Sequence, residues 1–148
     1  MPAVCHNLNC DYVFTEPTGE VTSFTFDSAT KKVVLTGTGF PTNVYDYTSA
    51  EFALSPCTIN PDTITATNIE CTLDHEPTCG NFKPILKSNL GFIPIAASLA
   101  SSSVQCTITS AVPLTNLNLL GEDNIVLTGT NFPRDLASST FEIKFSDV

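Results

Sequence analysis

The chain has no tryptophan and one methionine, and only 6 of its 148 residues are lysine or arginine. Set against 15 aspartates and glutamates, this leaves a formal net charge of −9. A surface so poor in clustered cations excludes a nucleic-acid backbone as partner. It argues equally against docking on an anionic membrane face. No apolar run reaches the roughly 18 residues of a spanning helix, so direct membrane insertion is not expected in this segment. The opening residues, Met1-Pro2-Ala3-Val4-Cys5-His6, lack the basic and apolar stretches of a secretion signal. No Cys-x-x-Cys pair is present, which excludes the common zinc-ribbon and thioredoxin-like spacings. No Asn-x-Ser/Thr acceptor exists either, since Asn60 is followed by Pro61 and Asp62. A 3.6-residue apolar period never persists for ten residues, so no helical domain is indicated.

What is present belongs to β structure. Hydrophobic residues make up 42 %, enough to bury a core, and ten prolines and seven glycines punctuate a threonine-rich chain. Six cysteines (Cys5, Cys10, Cys57, Cys71, Cys79 and Cys106) are many for this length. They read as disulfides of an oxidising compartment, with reduced thiols packed as small hydrophobes the alternative. A disulfide protein without a secretion signal reads as a mature or excised piece of something longer.

An internal repeat dominates the sequence. Val34-Leu35-Thr36-Gly37-Thr38-Gly39-Phe40-Pro41 recurs as Val126-Leu127-Thr128-Gly129-Thr130-Asn131-Phe132-Pro133. Upstream, Cys10 stands before Pro17 as Cys106 stands before Pro113, which sets the start of each copy. Residues 1–9 then read as the tail of a preceding unit or an extension, 10–103 as one complete unit, and 104–148 as the first half of a second. Phe141 to Phe145 matches the strand expected around Glu51–Leu54. The chain reads as a window on a tandem array.

Short strands bounded by turn residues are expected throughout the complete unit. They cover Asp11–Phe14, Glu20–Phe26, Lys32–Thr36, Glu51–Leu54, Thr63–Ala66, Ile69–Leu73, Phe82–Leu86 and Phe92–Ala96. About eight strands in about 90 residues predict an all-β, immunoglobulin-like antiparallel sandwich, with one complete copy and a partial second. Pro84 and Pro94 belong at strand edges or bulges. Leu99–Ser103 reads as the joint between units.

Three features together resemble the IPT/TIG family: a strand ending Leu35-Thr36-Gly37-Thr38-Gly39-Phe40-Pro41, then Cys57 followed by Thr67-Asn68-Ile69-Glu70-Cys71-Thr72-Leu73, then Cys79-Gly80-Asn81-Phe82. This immunoglobulin-like module is shared by plexins and certain transcription factors. The pattern is most similar to the multi-TIG ectodomains of fibrocystin-like surface proteins. The resemblance covers about 10–97 fully and 104–148 in part. It implies a non-catalytic spacer, stalk or filament-building module at the extracellular or cell surface, including a ciliary or flagellar one. It implies no cofactor, and neighbouring TIG units of the same or an identical chain as partners.

Each candidate residue has a chemical reason. Gly37 and Gly39 follow a strand and supply positive φ or close backbone approach, and Asn131 is the residue next best suited to Gly39's place. Phe40 and Phe132 plug the end of the sandwich, and Pro41 and Pro133 stop the strand. A phosphate loop would instead require both glycines and a following helix, whereas the second copy carries Asn131 in place of the second glycine. Cys57–Cys71 closes a short loop between neighbouring strands, and Cys10–Cys79 is its natural complement within the unit. Asp74-His75-Glu76, with Cys79 close by, invites a catalytic reading, but adjacent residues diverge and no nucleophile elbow accompanies them. Cys5, His6 and Cys10 with His75 or Cys79 match no common metal motif. Asp46, Glu51, Asp62, Asp74 and Glu76 would need to converge to hold Ca²⁺. Tyr45 and Tyr47, in the loop from Thr42 to Ser49, are the candidate interface for a protein or glycan ligand.

Overall fold

A computed structural model describes residues 16–112 and 124–134. The expected strand Asp11–Phe14, the segment Phe141–Phe145 and the cysteines Cys5 and Cys10 lie outside the described residues. Those described form an all-β fold with no α-helix. Its strands are β1 (Glu20–Asp27), β2 (Lys32–Thr38), β3 (Tyr47–Phe52), β4 (Ser55–Ile59), β5 (Asn68–Leu73), β6 (Gly80–Phe82), β7 (Ile85–Ser88), β8 (Gly91–Phe92), β9 (Ser102–Val104), β10 (Thr107–Val112) and β11 (Val126–Thr130). Seven of them make one antiparallel sheet in the order β1-β2-β5-β4-β3-β7-β8. The pairs β6–β9 and β10–β11 form two small ribbons.

The large sheet curls until its ends meet. Beyond β8, Ile95 bridges Val21 of β1. The Val21 amide donates to the Pro94 carbonyl at 2.9 Å, and the Ala96 amide donates to the Val21 carbonyl at 2.9 Å. This covers part of the edge that β1 would otherwise leave open. Inside the curl lie Val21, Val33, Leu35, Phe52, Ile69 and Leu86, all essentially inaccessible. Phe24, Phe26 and Phe82 surround Phe52 with ring centroids 5.5, 5.0 and 6.3 Å away. Tilted and edge contacts of this kind add to the energy of burial itself.

A bulge between Val21 and Ser23 lets β1 serve this core. Strict alternation would send Val21 and Phe24 to opposite faces; one extra residue lets both point inward. The β1–β2 turn is closed by Asp27, whose carboxylate accepts from the Ala29 amide at 3.0 Å and the Thr30 hydroxyl at 2.7 Å. The Thr30 hydroxyl, then the Ala29 amide, hold the Asp27 carboxyl below its ordinary value.

Several expected strands are corrected. The strand at Glu51–Leu54 ends at Phe52 because Ala53 and Leu54 take φ of 51° and 59°. They turn the chain directly into β4, which was not expected. The strand at Thr63–Ala66 is absent; a 3-10 turn at Pro61–Thr63 replaces it, and the Asn60 side chain accepts from the Asp62 amide at 3.2 Å. The strand at Phe82–Leu86 breaks at Lys83-Pro84, so β6 joins β9 while β7 joins β3. That at Phe92–Ala96 keeps strand geometry only at Gly91–Phe92. The expected joint is itself partly strand β9, and Val104 is buried in the core.

Candidate functional site

The two ends of the curled sheet differ in character. At one end the chain attaches its second ribbon. The segment from Asp74 to Cys79 is pinned there by backbone and hydroxyl contacts. The Asp74 amide donates to the Pro56 carbonyl at 2.9 Å, and the Thr78 amide to the Ala53 carbonyl at 3.0 Å. Ser55, fully buried, donates its hydroxyl to the His75 carbonyl at 3.2 Å and accepts from the His75 amide at 3.1 Å. Its hydroxyl thus serves as a staple, with donor and acceptor both engaged.

Onto this platform comes the β10–β11 ribbon. The Cys79 amide donates to the Asn131 carbonyl at 2.9 Å, and the Arg134 guanidinium donates to the Glu76 carbonyl at 3.0 Å. Asn131 sits at φ 62° and donates its side-chain amide to the Gln105 carbonyl at 2.8 Å. A disulfide joins Cys79 to Cys106, with Cα atoms 5.1 Å apart. The expected Cys10–Cys79 pairing is therefore replaced. The β6–β9 ladder sets Gly80 opposite Val104 and so carries Cys79 beside the chain leading to Cys106. A polar hollow of about 460 Å³ opens at this joint, lined by Phe26, Glu76, Gln105 and Asn131 among others. The second disulfide, Cys57–Cys71, links β4 to β5 with Cα atoms 5.5 Å apart, and both residues are buried.

The repeated octet builds the same device twice. A side chain on Gly37 would collide with the Glu20 carbonyl and the Phe40 ring. One on Gly129 would collide with the Thr107 carbonyl and the Phe132 ring. Gly39 and Asn131 share the left-handed region at φ 65° and 62°. Phe40 is buried and Phe132 half-buried, and Pro41 and Pro133 follow them outside the strands.

At the opposite end, the loop after Pro41 folds as a 3-10 turn, Val44–Asp46. The Asn43 side chain accepts from the Tyr45 amide at 3.0 Å, and the Asn89 side chain donates to the Tyr45 carbonyl at 3.0 Å. Tyr45 is held by its backbone while its side chain is left open to solvent, the residue being 83 % exposed. Tyr47 is not available in the same way. It is half-buried and donates its hydroxyl to the Pro41 carbonyl at 2.6 Å. Burial, and secondarily the Asp46 carboxylate, push its phenol up to about 12. It is a brace for the loop and not part of an exposed pair with Tyr45. A second hollow, of about 430 Å³, lies here between Pro41, Asp46, Asn89 and Leu90. Asn89 was missed from sequence, although Asn89-Leu90-Gly91 has the composition of a hairpin turn.

The acidic residues do not converge. Among the described residues no three His, Cys, Asp or Glu side chains come together as a cation site. Asp74 accepts from the Thr58 hydroxyl at 2.6 Å, and Glu76 pairs with Lys31. No helix among the described residues is long and apolar enough to cross a membrane. The two disulfides among the described residues are those of an extracellular-type domain made in an oxidising compartment. No family model matches the chain, and no curated protein or solved structure does.

Proposed function

We propose that the chain is a non-catalytic structural module of a multi-unit extracellular or cell-surface protein, with an immunoglobulin-like sandwich of the TIG type as its unit. The unit acts as a spacer, stalk or filament-building element, and its partners are neighbouring units of the same or an identical chain. One observation carries the reading. The β10–β11 ribbon reproduces the register, the bulge and the Thr-to-carbonyl hydrogen bond of β1–β2, and a disulfide fastens it to the end of the first unit. A second start of the same motif, fastened to the end of the first, supports a rod of stacked units.

The test is the intact mass of the protein from its native source, after labelling whole cells with a membrane-impermeant amine reagent. The reading expects labelled material far above 15.8 kDa. An unlabelled species near 15.8 kDa would overturn it.

A second reading is favoured by Tyr45, which is anchored by its backbone while its residue is 83 % exposed. It is the kind of fixed aromatic side chain that ligand-recognising loops use for protein or glycan. Under that reading Tyr45→Ala abolishes ligand capture while leaving the fold intact; unchanged capture would exclude it.

A further inference from the structure

The two disulfides among the described residues sit in opposite surroundings. Cys57 and Cys71 are 6 % and 2 % exposed, enclosed by the sheet they link. Cys106 is exposed and Cys79 only half-buried. Beyond this bond and the chain itself, the described contacts joining the ribbon to the platform are few and lie near the surface. They are the Cys79 amide on the Asn131 carbonyl and the Arg134 guanidinium on the Glu76 carbonyl. Among the described residues the ribbon leaves Ile108, Val112 and Val126 exposed, so their apolar burial does little to hold it in place.

We infer that Cys79–Cys106 is a thiol-exchange site that locks and unlocks the joint, whether or not the chain belongs to an array. An external dithiol is the reactant. Its thiolate attacks the exposed Cys106 sulfur, and the Cys79 sulfur leaves as a thiolate. The reagent's second thiol then resolves the mixed disulfide. Two electrons pass to the protein pair, giving two cysteine thiols and one oxidised dithiol. The Cys57–Cys71 bond, shielded by the core, stays closed and keeps the large sheet folded. The outcome is a unit whose sheet is intact and whose second ribbon swings free.

The experiment treats the full chain with limiting dithiothreitol, traps thiols by alkylation at timed intervals and locates them by peptide mass. Hydrogen exchange is then read on the partly reduced species. Cys79 and Cys106 should be trapped at least tenfold faster than Cys57 and Cys71. Exchange should rise at least tenfold in β10 and β11 and remain unchanged in β2 and β5. Equal trapping rates, or a ribbon whose exchange does not move, would overturn the inference. The variant Cys79→Ser/Cys106→Ser should show the same loosened ribbon with no reagent, and wild-type exchange in it would equally overturn the inference. Should that variant fail to fold, the partly reduced wild type still decides.

Discussion

The hairpins β1–β2 and β10–β11 have the same local design and different surroundings. Val21 pairs with Gly37 and Ser23 with Thr36, as Ile108 pairs with Gly129 and Ser110 with Thr128, with a bulge between the pairs each time. Thr22 donates to the Thr36 carbonyl at 3.3 Å, and Thr109 to the Thr128 carbonyl at 3.0 Å. Burial then separates them. Val21 is 0 % exposed and Ile108 57 %. The free edge of β2 is taken by β5, whereas β11 pairs among the described residues with β10 alone. Short-range sequence therefore determines register, bulge and left-handed residue, while stability comes from the strands that cover the face.

The largest predicted difference follows from that cover. Leu35→Ala should cost about 3 kcal/mol in chemical unfolding, since it empties a fully enclosed site. Leu127→Ala, at the equivalent half-buried place, should cost about 1 kcal/mol or less. Similar costs would break the comparison.

Removing the buried bond by Cys57→Ser/Cys71→Ser should lower the stability of the large sheet by about 3 kcal/mol, the chain-entropy value for a loop of this size. Thermal denaturation read at the sheet's own signals checks this. An unchanged midpoint would mean that the core, not the bond, fixes β4 against β5.

Asn131→Gly gives the second hairpin the residue of the first. It keeps the left-handed backbone and loses the hydrogen bond to the Gln105 carbonyl, so the ribbon should loosen by about 1 kcal/mol in hydrogen exchange. No change would mean that Asn131 serves only as a turn residue.

An effect of similar size lies at the far end. The Tyr47 phenol is raised in the folded state to about 12 from an ordinary 10.0. Its contribution is fully present below the unfolded value and is lost as pH rises through the folded one. Absorbance titration should show a tyrosine ionising late, together with loosening of the loop. Tyr47→Phe should remove that late step and cost about 1 kcal/mol through the lost hydrogen bond to Pro41. A late step persisting in the variant would assign it elsewhere.

What could be read from sequence divides along the same line. The octet and β1 were legible because glycine and threonine act over a few residues, whereas β10 and the two bulges were found only in the fold. β2 and β5 also carry plain alternation. β4 was hidden because Ser55-Pro56 looks like a turn, and because Ala53 and Leu54 adopt left-handed conformations that neither residue favours by itself. Thr63–Ala66 looked like a strand by its β-branched residues, yet the Asn60 cap and Pro61 start a tight turn first. The partner of Cys79 was not legible from counting cysteines within a unit, because the pairing of β6 with β9 selects it. Tyr47 looked like the twin of Tyr45, and only its reach to the Pro41 carbonyl distinguishes them.

The most direct test of the account is residue-resolved hydrogen exchange on the oxidised, full-length chain. The amides of Val33 to Thr36 in β2 should be protected at least a hundredfold more than those of Leu127 and Thr128 in β11, since one hairpin opens only with the whole sheet and the other opens alone. Equal protection in the two hairpins would contradict the claim that cover, and not the repeated motif, supplies the stability.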